Sequence, residues 1–342
     1  MTLCLSIKRV GKERTMQVRN RSAWTRGGIA VEAGSASSAA QQAGLDWEVM
    51  LAPLQAYVKN EVNDYESVTD YYDVPKKQGV LRLDNTNNRI IGVVGDKYKI
   101  VQNMEVFSAL DTLVDSGDAR YTAAGEYNDG ANIWMIMELP NGVQVANDPH
   151  AAYLLVQSSH DGSCAVRIRP IIERIFCANQ INRLVKGKKT NDYTYVMKHT
   201  TNSELSVADI RAITDLTYTA INEYEEVAAN LIDRKMSSQQ ARNIFQKVWA
   251  LPSEVEDAPY HLLSQGQKRQ QSIAYAGRDK AWQIYSESET QENIRGTAFG
   301  VWQAVVEYAD HHASGSPANR AVATLSGRND RVKEKALSLV LA

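Results

Sequence analysis

Cysteine is scarce in this chain. There are three (Cys4, Cys164 and Cys177), and no two stand at CxxC spacing. That excludes a disulfide framework and a paired-cysteine metal site, and it suits a reducing compartment. No run of about 18 apolar residues occurs, so no membrane-spanning helix is expected. The opening stretch MTLCLSIKRVGKERT is basic but has no apolar core of about 7–15 residues and no small-residue cleavage site. It reads as an arm ahead of the fold, and Met16 offers a second start. The cytoplasm is the expected location. The six histidines are scattered and suggest no metal set. The segment Gly92–Lys97 follows a strand pattern but lacks the GxxxxGK[ST] spacing that cradles phosphates, and no GxSxG elbow is present. These absences leave no enzyme class, no cofactor and no metal to expect.

What is present is a 342-residue chain with 44% hydrophobic and 23% charged residues, enough for a sizeable core. Its net charge of -2 conceals two segments of opposite sign. Residues 46–75 hold seven Asp/Glu against one Lys, interspersed with Tyr57, Tyr65, Tyr71 and Tyr72. Residues 161–200 hold eight Lys/Arg against three acids.

The elements predict an α+β protein in three stretches. Residues 1–40 read as an irregular arm, broken by Gly27-Gly28 and Gly34–Ser38. A helix over Ser38–Ala43 stops at Gly44, followed by a strand at Leu45–Val49. The acidic stretch 46–75 reads as partly ordered surface. Residues 41–200 then alternate strands and turns: Val80–Leu83 with Arg89–Val94, Arg120–Glu126 with Ile133–Leu139 around Asn128-Asp129-Gly130, and Ala152–Ser158 with Ala165–Ile172 around Ser159–Ser163. Asp-Gly between extended runs marks a hairpin. Asn103 caps a helix ending at Gly117, a helix covers Ala178–Val185, and Tyr193–Lys198 is a strand. The sheet is expected to be twisted and mainly antiparallel with flanking helices. Residues 201–342 are mostly helical, at about Ser206–Arg234, Ser238–Leu251, Gln265–Glu287, Ile294–His311 and Asp330–Leu341. The first has an apolar spacing near 3.5, which suits a core helix or a helix between subunits.

The basic stretch carries the candidate site. Arg167 and Arg169 alternate onto one strand face, opposite Val166 and Ile168. With Arg174, Arg183, Lys186, Lys188 and Lys189 they would follow a phosphate backbone. Tyr193 and Tyr195 would stack unpaired bases, each stack contributing about 1–3 kcal/mol. His160-Asp161 reads as turn chemistry, with Asp161-Gly162 supplying a positive-φ pair and His160 hydrogen-bonding the backbone. Cys177 and Cys164 read as small buried residues.

Several short motifs in fixed order carry a resemblance. They are Gly44–Val49 (GLDWEV), Gly92–Asn103 (GVVGDKYKIVQN), Ser159–Ser163 (SHDGS), Cys177–Asn179, and then Gly296-Thr297, Glu307-Tyr308 and Asp330-Arg331. Together, over about residues 22–335, they resemble the phage/plasmid-like protein family, or domain of unknown function 932. The family implies no activity; its setting implies DNA metabolism. The element order over 103–186 is also similar to that of phage single-strand annealing proteins, without a shared motif. The expectation is therefore a DNA-binding protein of phage or plasmid type, a homo-oligomer that anneals or protects single-stranded DNA. The other reading is a structural or interaction factor that engages a host or phage protein through residues 46–75.

Overall fold

The structure is a computed structural model. It describes residues 22–63, 66–84, 88–108, 110–115, 117, 119–140, 142–145, 148–175, 179–181, 193–197 and 207–342. The larger sheet contains β1 (Ile29–Ala33), β5 (Arg120–Tyr127), β6 (Asn132–Glu138), β8 (Asp148–Ser159), β9 (Val166–Arg174) and β10 (Asn179–Ile181), in that spatial order. Strand β7 (Val143–Val145) adds to β8, and β11 (Tyr195–Met197) adds to β9. A second sheet holds β2 (Glu48–Asn63), β3 (Glu66–Leu83) and β4 (Arg89–Gly95). Every pairing among these strands is antiparallel. The α+β class and the helical C-terminal half are as the sequence implies.

The turn of β5–β6 is built by three successive positive-φ residues, Asn128 (54°), Asp129 (56°) and Gly130 (91°). Asn and Gly tolerate that region, which lets the strands reverse tightly. Helix α2 (Ala36–Ala43) ends at Gly44 in the left-handed conformation, its N–H returning to the carbonyls of Ala40 and Gln41.

Both faces of the larger sheet are buried. On one, Ile133, Met135, Met137, Leu154, Val156, Val166 and Ile168 join a core shared with the long helices. On the other, Trp134, Ile136, Tyr153, Leu155 and Ile171 pack with Trp24, Ala321 and Leu325. Two short helices cover that second face, α1 (Ala23–Gly27) and α10 (Pro317–Leu325). Continuous apolar runs such as Ile133–Met137 are the mark of two-sided burial.

Five local expectations change. Within 22–40 the chain is regular: α1, β1 and α2, with β1 paired to β5. The acidic stretch is a long β-ribbon rather than loose surface. Asn179–Ile181 is a strand paired to Ile172–Arg174, not part of a helix; the rest of the expected helix lies outside the described residues. Asn103 opens helix α3 (Asn103–Ser108) as a buried residue, and a separate turn, α4 (Asp111–Asp115), follows it. In the helical half, α5 (Val207–Asp233), α6 (Ser238–Val248), α7 (Ser253–Glu256) and α8 (Gln265–Glu287) precede α9 (Ala298–Glu307), which ends in a π turn at Tyr308–His312. The connection after Gly315 contains α10, which the sequence did not suggest, and α11 (Asp330–Leu341) closes the chain. Among the described residues no helix is long and apolar enough to cross a membrane.

Candidate nucleic-acid interface

Three motifs separated in sequence meet at the turn between β8 and β9. Asn103 donates from Nδ2 to the carbonyls of Leu45 (2.9 Å) and Trp47 (3.2 Å). Its Oδ1 therefore faces His160, whose Nε2–H donates to it at 2.8 Å. The Tyr98 hydroxyl donates to the Ser159 carbonyl at 3.0 Å. Gly92 lies so close that a Cβ there would stand 2.6 Å from Asp161 Cα and 2.9 Å from the His160 carbonyl oxygen. Trp47 stacks under the Arg82 guanidinium (4.2 Å) and donates to Glu126, which also pairs with Arg82 at 2.9 Å. His160 is fully buried, so it braces the turn by a side-chain bond to Asn103. Asp161 accepts the Ser163 N–H at 2.9 Å, as turn chemistry requires; of the expected positive-φ pair only Gly162 (76°) has positive φ, and His160 bonds the Asn103 side chain in place of the expected backbone partner.

The outer side of this turn forms one wall of a cleft of about 360 Å³. The β5–β6 turn, with Tyr127, Asn128 and Asn132, forms the second wall, and the α10–α11 connection, with Val322, Ser326 and Arg328, forms the third. Arg167 and Arg328 are exposed on its lining. Neither has a carboxylate partner among the described residues; Arg328 Nε donates only to Ser326 Oγ, at 3.3 Å. Asn128, Asn132 and Ser163 add neutral polar groups, and Asp161 is the single carboxylate of the lining. Cys164 also lines the cleft. Burial pushes its thiol up, with Arg167 and Arg169 opposing, so it stays protonated at neutral pH and is a poor nucleophile. Among the described residues no cluster of His, Cys, Asp or Glu could hold a metal.

The sequence-predicted site residues separate. Arg167 and Arg169 do share a strand face, but α10 covers that face beyond Arg167. Arg169 is 7% exposed. It donates to the Leu325 carbonyl at 2.7 Å and stands 3.9 Å from Asp330. Arg174 is fully buried: Nε donates to Asp148 at 2.6 Å, Nη1 to the Thr290 carbonyl at 2.6 Å and Nη2 to Asn293 at 2.9 Å. Its sheet end is closed by the 3₁₀ turn Glu289–Gln291. Tyr193 is buried and its hydroxyl donates to Glu223. The Tyr195 hydroxyl donates to Asp209 at 2.8 Å; burial first, then that hydrogen bond, pushes the phenol up to about 12. The two tyrosines therefore bind α5 to the sheet edge instead of standing open for stacking. Arg183, Lys186, Lys188, Lys189 and Cys177 lie outside the described residues. Sequence reading missed Arg328, Asn128 and Asn132, which become neighbours of Arg167 only through the fold.

These features define an α+β protein with a sheet covered on both faces and one polar, cation-bearing cleft at a motif-built turn. It belongs to the family described as domain of unknown function 932, whose model matches residues 90–337. The match begins later than the motifs imply, leaving Gly44–Val49 outside it. No curated protein and no solved structure matches the chain.

Proposed function

We propose that this protein binds single-stranded DNA without catalysis, holding its phosphate backbone in the cleft between Arg167 and Arg328. The observation that carries the reading is the pair of exposed guanidiniums, without a carboxylate partner among the described residues, across a cleft otherwise lined largely by amides and hydroxyls. Arginine forks match phosphate oxygens in geometry as well as charge. In this reading Arg183, Lys186, Lys188 and Lys189, which follow in sequence, extend the track. In this reading the protein is of phage or plasmid type and acts as an oligomer that protects or anneals single strands.

The test is a fluorescence titration of a labelled single strand at several salt concentrations. Each phosphate contact contributes about 0.7 to the slope of log K against log salt. Arg167→Ala with Arg328→Ala should flatten that slope by about 1.4. The double variant should keep its stability within about 0.5 kcal/mol, because both side chains are exposed. An unchanged slope refutes the cleft as the contact. A strand-annealing assay then separates protection from annealing.

A further inference from the structure

The β2–β3 ribbon has two parts. Near the core, Glu48–Pro53 pairs with Gln78–Leu83, β4 completes the sheet, and Val49, Val80 and Val94 are buried. The ladder then breaks. Between the pairs Pro53↔Gln78 and Gln55↔Asp73, Leu54 alone faces four residues, Val74 to Lys77, and Lys76 has φ 57°. Beyond that bulge only two strands continue. From Gln55 to Asn60 and from Val68 to Asp73 every residue but Asp70 is exposed. Tyr57 (71% exposed) pairs directly with Tyr71 (66%), beside Tyr72 (56%).

A two-stranded ribbon with no third strand is marginal in water, and tyrosines are typical anchors of protein interfaces. The arm is also acidic, with five Asp/Glu against one Lys between Gln55 and Asp73. Among the described residues its carboxylates at Asp70 and Asp73 are bonded only by neutral amides, from Asn60 (2.7 Å) and Gln55 (2.8 Å). Positive charge sits elsewhere on the surface, at the exposed Arg167 and Arg328. Both surfaces thus expose charge of opposite sign that is uncompensated by ion pairs among the described residues.

We infer that the arm of one copy docks on the Arg167–Arg328 cleft of a second copy, head to tail. This inference rests on the cleft being an anion site. The carboxylates take the positions of phosphates and the tyrosines cover the cleft rim, so self-association and DNA compete for one surface. A head-to-tail contact is heterologous and builds a ring or a filament rather than a closed pair.

Sedimentation equilibrium without DNA tests it. At about 50 µM protein and about 50 mM salt the wild-type chain should associate, and about 500 mM salt should dissociate it. Asp70→Lys with Asp73→Lys, and separately Arg167→Glu with Arg328→Glu, should each weaken association about tenfold or more. An equimolar mixture of the two variants should restore it, because each then offers the other a complementary surface. A monomeric wild type, or association that neither reversal weakens, overturns the inference. So does a mixture that stays dissociated while each variant shows a wild-type circular dichroism spectrum. Failure here leaves the DNA reading standing, since that is decided by the salt slope of the alanine variant. Failure of the slope with restored mixing would assign the cleft to self-assembly alone.

Discussion

Arg174→Met separates a structural arginine from a ligand-binding one. The guanidinium is 0% exposed and its partner Asp148 1%. Removing it while keeping the aliphatic stem leaves Asp148 as a buried carboxylate with Asn293 (3.1 Å) and His150 (3.6 Å) beside it. Losing one member of a buried ion pair costs about 3–5 kcal/mol, more than the pair itself contributes. With an unfolding entropy of about 2.1 cal/mol/K per residue, this chain loses about 1.4 °C of Tm per kcal/mol, so Tm should fall by about 4–7 °C at pH 7.5. The loss should shrink at lower pH. His150 is held down to about 4, chiefly by burial, with Arg174 adding and Asp148 opposing. Without Arg174 the ring can accept a proton and replace the missing cation beside Asp148. Each pH unit over which that extra proton is held returns up to about 1.4 kcal/mol. Differential scanning calorimetry of wild type and variant at pH 7.5 and 5.5 measures both effects. A Tm loss under about 1 °C, or one equal at the two pH values, refutes the reasoning.

In the wild type, His150 itself makes stability pH-dependent. Its folded pKa (about 4) lies below the ordinary 6.5, so the unfolded chain binds the proton first. Stability is complete above about 6.5 and falls as pH drops toward 4, by about 3 kcal/mol in all; a His150→Gln variant should lack this component in urea titrations. Two glycines should respond oppositely to their surroundings. Gly92→Ala meets Asp161 and the His160 carbonyl below 3.0 Å and should cost about 2 kcal/mol or more, loosening the turn that walls the cleft. Gly44→Ala meets no atom within 4 Å but keeps φ 67°, so only the left-handed penalty of about 1 kcal/mol remains. Equal losses in chemical denaturation would refute that distinction.

The sequence by itself determined what local chemistry controls. Asn128-Asp129-Gly130 and Gly162 specify turns because few residues tolerate positive φ, and the 3–4-residue spacing of Ile210, Ile213, Thr217, Ala220, Tyr224, Val227 and Leu231 specifies a helix stripe that is buried except for the partly buried Val227. The alternation that sets Arg167 and Arg169 on one face was legible for the same reason. What covers that face was not. Leu325 and Ala321 arrive from more than 150 residues away, and they make Arg169 a core residue while leaving Arg167 at the rim. The same holds for Arg174, whose partners come from two distant segments, Asp148 from β8 and Thr290 with Asn293 from the turn before α9. Charge is a property of one residue and can be counted along a chain. Whether that charge meets solvent or a partner depends on long-range packing, and here tertiary structure moved the candidate site from a basic strand face to the cleft shared by Arg167 and Arg328.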